Sequence, residues 1–196
     1  MLKSLQALIS NRRGFLGKAA VMAGAVLPSN RLLADDCASA AAEITRLKKA
    51  LRDREYAHLP QMIGYLKRLR EKFGPGVVEE VKSVTIEQAK RGQVQRKLAP
   101  EQRTLDVVVK DYASWTDAID YQWVEQSPQR LVARVTRCRW AEEMKKLGAE
   151  GDLGFAIICA SDYGYCAGLN PAIRFSRTKT LMQGDDHCNH TYELKS

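Results

Sequence analysis

Residues 119–138, IDYQWVEQSPQRLVARVTRC, decide the fold. Tyr121, Trp123 and Glu125 alternate as on a strand, and Ser127-Pro128-Gln129 forms a turn. Leu131, Ala133 and Val135 then share one face of a second strand that ends near Cys138. Two such runs across a short turn make a hairpin, and a hairpin means antiparallel pairing.

Upstream of Ile119 the period is helical. Ile44, Leu47 and Leu51 mark a helix over about 39–58, with Ser39 as its cap. Pro60 suits the first turn of a second helix, striped by Met62, Ile63, Leu66, Leu69 and Phe73 and closed by Gly74-Pro75-Gly76. A third runs from Val77 into the nineties, and a fourth spans Thr104 to Ala118 with Leu105, Val108, Tyr112 and Trp115 on one side. Downstream of Cys138 come a short helix from Trp140 to Leu147 and a longer one from Leu153 to Ala167. Ile173 to Met182 alternates as a third strand. Cys188, His190, Tyr192 and Leu194 share a face of the fourth. The sum is α+β: a helical N-terminal half packed on a small antiparallel sheet of two hairpins, with two helices between them.

The first 34 residues read differently. Arg12-Arg13, then Phe15-Leu16 and Lys18, look like a twin-arginine export signal, with Asn11 where Ser or Thr is more usual. Ala19 to Leu27 is a short apolar core broken by Pro28, and Leu32-Leu33-Ala34 offers a small residue for cleavage. The organisation expected is a signal over 1–34 and one domain over 35–196, mainly helical to residue 118. That signal implies the twin-arginine machinery as a partner and a periplasmic location. After cleavage no membrane span is expected, because no apolar run reaches the roughly 18 residues a span needs.

Charge narrows the function. The full chain of 196 residues carries a formal charge of +8, which invites a nucleic-acid reading. Five of the basic residues and none of the acidic ones fall in the first 34 residues, so the mature chain keeps 26 basic against 23 acidic residues. Phosphate binding then has little electrostatic support, and no nucleic-acid partner is expected. Phosphate loops, dinucleotide fingerprints, the G-x-S-x-G elbow, C-x-x-C and H-E-x-x-H are all missing from the sequence. Cys188 and His190 would offer two metal ligands, but a four-ligand site needs two more from elsewhere. No metal and no cofactor is expected.

Five cysteines remain to be explained. Cys166 reads as apolar filler. Cys159, Asp162 and Cys166 stand at i, i+3 and i+7, on one face of a helix. Cys188 and His190 stand two apart on a strand, also on one face. A thiol beside an imidazole is a candidate nucleophile, whereas four buried thiols or a set of disulfides would be structural.

The segment from Cys138 to Tyr192 resembles the L-2-amino-thiazoline-4-carboxylic acid hydrolase family. The residues that carry the resemblance are Cys138, Met144-Lys145-Lys146-Leu147-Gly148, Cys159-Ala160-Ser161-Asp162 and Gly168-Leu169-Asn170-Pro171. They continue through Arg174-Phe175-Ser176-Arg177-Thr178-Lys179-Thr180-Leu181 and close with Gly184-Asp185-Asp186-His187-Cys188-Asn189-His190. The resemblance implies a hydrolase that opens a small cyclic amidine-like ring. The named reaction turns 2-amino-thiazoline-4-carboxylate into N-carbamoyl-cysteine. That chemistry needs a nucleophile or activated water, a proton donor for the departing sulfur, and a cation for the carboxylate. Cys159 or Cys188 would attack, or Asp162 or His190 would activate water. Arg174 or Arg177 would hold the carboxylate, and the two point to opposite faces of a strand. Asn170 would bind the amidine edge. The rival reading is a periplasmic ligand-binding or redox-accessory protein that keeps the fold and does no chemistry.

Overall fold

The computed structural model describes residues 29–195; the twin-arginine motif and the apolar core of the expected signal lie outside the described residues. The described residues divide into two units at about residues 53 and 54. In the first, helix α1 (Ser29–Tyr56) begins well before the expected Ser39. It carries ion pairs one turn apart, Glu43 with Arg46 at 2.7 Å and Lys49 with Asp53 at 2.8 Å.

The second unit holds α2 (Leu59–Phe73), α3 (Gly76–Val94), α4 (Leu105–Ser114), β1 (Ile119–Gln126) and β2 (Arg130–Cys138). After them come α5 (Arg139–Lys146), α6 (Ser161–Leu169), β3 (Ile173–Ser176) and β4 (Cys188–Leu194). The sheet is antiparallel throughout, in the order β1-β2-β4-β3. Ser127 makes the hairpin turn by accepting from Arg130 N at 3.0 Å and donating to Arg130 O at 3.1 Å. Opposite residues across the strands align one apolar face: Trp123 with Ala133, Ala133 with His190, Val135 with Cys188, and Phe175 with Tyr192. The other face carries Arg130, Arg134, Asn189, Glu193 and Arg174, as half-buried antiparallel sheets do.

That apolar face packs on α4 and α6, and Val108, Tyr112, Cys166 and Leu169 join Leu131, Val135 and Tyr192 in one core. A second core gathers Leu59, Ile63, Met144, Leu153, Cys159 and Met182. Helix α6 lies hard against α3. A Cβ on Gly164 would sit 2.0 Å from the Ile86 carbonyl oxygen, and one on Gly168 would sit 2.2 Å from that of Lys90. Only glycine fits at either place. Arg103 closes the end of this seam. Its Nη1 donates to the Gln93, Gly168 and Leu169 carbonyls at 3.1, 3.1 and 3.2 Å. Its Nη2 donates to those of Val94 and Arg96 at 3.2 and 3.0 Å. One guanidinium thus satisfies the open carbonyls at the ends of both helices.

Beyond α1, three elements differ from the sequence reading. The fourth helix stops at Ser114 rather than Ala118, since Trp115 to Ala118 turn into β1. The third strand ends at Ser176, not Met182. Beyond it the backbone bonds side chains instead of a ladder: Asn189 Oδ1 accepts from Thr178 N and Lys179 N at 3.0 and 2.7 Å, and Asp185 Oδ2 accepts from Thr180 N at 2.7 Å. The helix expected over 153–167 is composite. A short α turn (Asp152–Gly154) leads into a π-helical turn (Phe155–Cys159), where Ala160 N reaches back to Phe155 O at 2.9 Å, and α6 starts afterwards. Cys166 therefore departs from the face of Cys159 and packs in the other core.

Candidate active site

A cavity of about 310 Å³ lies where β1 begins, β2 ends, β4 begins and α6 starts. Its wall is mostly apolar, with Tyr112, Trp115 and Trp140 as the aromatic part. Cys159, Asp162, Arg177, Cys188 and His190 meet on its polar side. The five come from four segments: the π turn, the first turn of α6, the loop after β3, and β4, which supplies both Cys188 and His190. Arg177 has the parity of Ile173 and Phe175, so it continues the inward-facing side of β3 into the loop.

Arg177 organises the group. Its Nη1 donates to Asp162 Oδ2 at 2.7 Å and to His190 Nε2 at 3.0 Å, and its Nη2 donates to the Cys159 carbonyl at 3.0 Å. The guanidinium carbon stands 5.2 Å from the Phe155 ring centroid and 5.5 Å from that of Phe175. Nε is buried without a hydrogen-bond partner among the described residues. Burial works against the charge of Arg177, but Asp162 beside it holds the guanidinium ionised.

The guanidinium has no acceptor, so its contact assigns the imidazole. His190 Nε2 is the unprotonated nitrogen. The proton is on Nδ1, facing the Tyr112 hydroxyl at 2.5 Å, and Tyr112 in turn meets the Tyr192 hydroxyl at 3.1 Å. Burial, helped by the Arg177 charge, pushes the His190 pKa down to about 3. The ring is neutral at physiological pH and its lone pair is taken by Arg177. In this geometry His190 steadies the arginine rather than a water molecule.

Asp162 is the exposed end of its ion pair, at 26% side-chain exposure against 2% for Arg177. Burial raises its pKa, and Arg177 opposes the rise. Its second oxygen accepts no hydrogen bond among the described residues. The thiols are less ready. Burial pushes Cys159 up to about 12, against the pull of Arg177, and burial also raises Cys138. Cys188 Sγ accepts from Leu181 N at 3.3 Å and lies 3.7 Å from Thr180 Oγ1, which stands 3.9 Å from Cys159 Sγ. The cysteines at 138, 159, 166 and 188 are free thiols. Among the described residues no cluster of three or more His, Cys, Asp or Glu side chains could hold a metal.

Two expected binding residues lie elsewhere. Asn170 donates to the Arg103 carbonyl at 2.9 Å and accepts from Ala172 N at 2.9 Å, so both ends of its amide serve the turn after α6. Arg174 projects from the polar face of the sheet, opposite Glu193. Sequence reasoning missed Tyr112, Trp115 and Trp140 as wall residues. Tyr112 and Trp115 were legible only as a helix stripe, and nothing local said that the stripe would meet β4.

An α+β domain with a mixed polar and apolar cavity at the end of its sheet is the class these features define. The chain matches the L-2-amino-thiazoline-4-carboxylic acid hydrolase family over residues 53–192 and belongs to it. No curated protein matches the chain. Among solved structures, a trafficking protein particle complex subunit 3 from Naegleria fowleri, covalently bound to palmitic acid, is 12% identical over 70% of this chain and 93% of that one, with a TM-score of 0.42. The phenol-responsive sensory domain of the transcription activator PoxR, with phenol, is 10% identical over 70% of this chain and 74% of that one, with a TM-score of 0.44. An H-NOX protein from S. oneidensis is 12% identical over 69% and 72%, with a TM-score of 0.37.

Proposed function

We propose that this chain is a hydrolase that opens a small cyclic amidine or thiazoline-type ring. The observation that carries the reading is the convergence of Asp162, Arg177 and His190 with two thiols on one cavity, inside the segment that matches the family. Asp162 is the base. Its raised pKa and its unfilled oxygen suit it to take a proton from water as that water adds to the amidine carbon. As the C–O bond forms, the C=N π pair goes to the ring nitrogen. The tetrahedral adduct then breaks its carbon–sulfur bond. The ring nitrogen takes the adduct's hydroxyl proton as the carbonyl forms, and the C–S electron pair leaves with sulfur. The proton held by Asp162 passes to the sulfur, so one water is added overall and the carboxylate is regenerated. Arg177 stays ionised beside the reacting carboxylate, and His190 and Tyr112 position it. Cys159, with its thiol pushed up to about 12, has little thiolate at neutral pH. Direct attack therefore falls to Cys188 if a sulfur attacks at all.

The test is hydrolysis of 2-amino-thiazoline and of its 4-carboxylate, followed by release of thiol, for wild type, Asp162→Asn and Cys188→Ser. Activity lost in Asp162→Asn and kept in Cys188→Ser supports the water mechanism. The reverse pattern makes Cys188 the nucleophile. Raised thiol pKa values and an occupied imidazole favour a second reading, a ligand-binding protein without chemistry. Saturable binding with no turnover by folded wild type would establish it.

The export reading is also a proposal, supported by Arg12-Arg13, the apolar stretch Ala19–Leu27 and Pro28. Its test is cell fractionation with a mass measurement of the mature N-terminus. An uncleaved chain retained in the cytoplasm refutes it.

A further inference from the structure

The ionised side chains on the cavity wall are a single pair, Asp162 and Arg177, and the pair is lopsided. Asp162 is partly exposed and Arg177 is almost wholly covered. Both Nη1 hydrogens of Arg177 are spent on Asp162 and His190, and Nη2 serves the Cys159 carbonyl. Two hydrogens are left over, the second on Nη2 and the one on Nε, and Nε is buried. With 2% of its side chain exposed, the guanidinium offers a ligand carboxylate almost no surface to pair with. Arg137 and Lys145 belong to a neighbouring cavity that shares only Cys138 with this one. What the cavity lining does offer is an acceptor, Asp162 with one oxygen unfilled among the described residues, together with Tyr112, Trp115 and Trp140. A second carboxylate would meet Asp162 as a like charge in a low-dielectric space. A planar N–H donor would complete the hydrogen bonds of Asp162 and lie against aromatic faces.

We propose that this site selects a planar cyclic amidine that bears no carboxylate, recognised through its N–H edge by Asp162 and through its ring face by the aromatic wall. The proposal rests on the amidine reading above and narrows it. It places the substrate among the decarboxylated or otherwise neutral ring amidines rather than the amino-acid-derived ones.

The test compares two ligands that differ only in the carboxylate. The full chain is titrated with 2-amino-thiazoline and with 2-amino-thiazoline-4-carboxylate, and the initial change in tryptophan fluorescence is read, since Trp115 and Trp140 line the cavity. The unsubstituted ring is expected to bind about tenfold tighter or more, an effect the size of one charge-assisted hydrogen bond. Equal binding, or tighter binding of the carboxylate, overturns the proposal and leaves the amidine reading intact. Saturation by neither ligand ends both. Asp162→Asn, checked for folding by circular dichroism, removes the like charge and is expected to shrink the preference. A folded Asp162→Asn variant with the wild-type preference also overturns the proposal. The wild-type comparison decides by itself should that variant fail to fold.

Discussion

Arg103 and Arg177 each tie together segments distant in the chain, and they are used in opposite ways. Arg103 spends its guanidinium on five backbone carbonyls at the ends of α3 and α6. All its acceptors are neutral and none of them titrates. Arg177 divides its donors among a carboxylate, an imidazole and one carbonyl, and leaves Nε unfilled. The first arrangement is closed chemistry that fixes a seam. The second couples groups whose protonation can change, beside a cavity. Burial of an arginine says little about its role; the chemical nature of its acceptors says much more.

The sharpest way to break the comparison is at the seam itself. Gly164→Val should destabilise the domain by about 3 kcal/mol or more, because its Cβ has nowhere to go but into the Ile86 carbonyl. Urea denaturation checks this, and a change under 1 kcal/mol (about the median effect of any substitution) would show that the seam is loose. At the cavity, Asp162→Asn should keep the fold and lower turnover by roughly a hundredfold or more, the usual loss on removing a general base. An active variant would move Asp162 out of the chemistry.

Arg103→Met should cost about 2 kcal/mol in thermal denaturation and leave ligand affinity unchanged, since the carbonyls it caps lose their partners while the cavity keeps its wall. Altered affinity would mean that the two regions are linked.

The imidazole supplies a smaller, pH-dependent effect. His190 has its pKa lowered to about 3 from an ordinary 6.5. The stability it contributes is present above pH 6.5 and is lost as the pH falls from there toward about 3. Asp162 runs the other way, because a raised carboxyl pKa loses stability as the pH climbs past the ordinary carboxylate value. Stability curves of wild type and His190→Gln, measured over that window, should therefore converge on acidification. Parallel curves would mean that the imidazole is not held neutral. Tyr112→Phe should show the least, about 1 kcal/mol, for one hydroxyl between His190 and Tyr192.

Much of the fold was legible because its signals are local. The hairpin at Ser127-Pro128-Gln129, the breaks at Gly74-Pro75-Gly76 and Pro171, and the face shared by Cys188, His190 and Tyr192 can all be read within a few residues. The extent of β3 was not. Ile173 to Met182 alternates in sequence, but whether a strand continues depends on Asn189 and Asp185, which capture its backbone from a distance in the chain. Asn170 matched a motif and yet serves a turn, because its partners are the backbone of Arg103 and Ala172. The meeting of Asp162, Arg177 and His190 followed from family resemblance rather than spacing. The aromatic wall followed from neither, since it is made by the packing of α4, α5 and β2.

The π turn at Phe155–Cys159 has an evolutionary side. It stores one residue more than an α-helix of the same length would hold. Deleting a single residue there would let the chain run as one continuous helix into α6, and everything upstream would rotate by about a quarter turn or slightly more. The residues before the deletion would turn against Cys159 and Asp162, which lie at and beyond the end of the turn. A lineage can therefore re-aim the residues before the turn against this cavity by one codon-sized insertion or deletion, at the expense of the core that Leu153 and Ala156 join, while the sheet is left as it is.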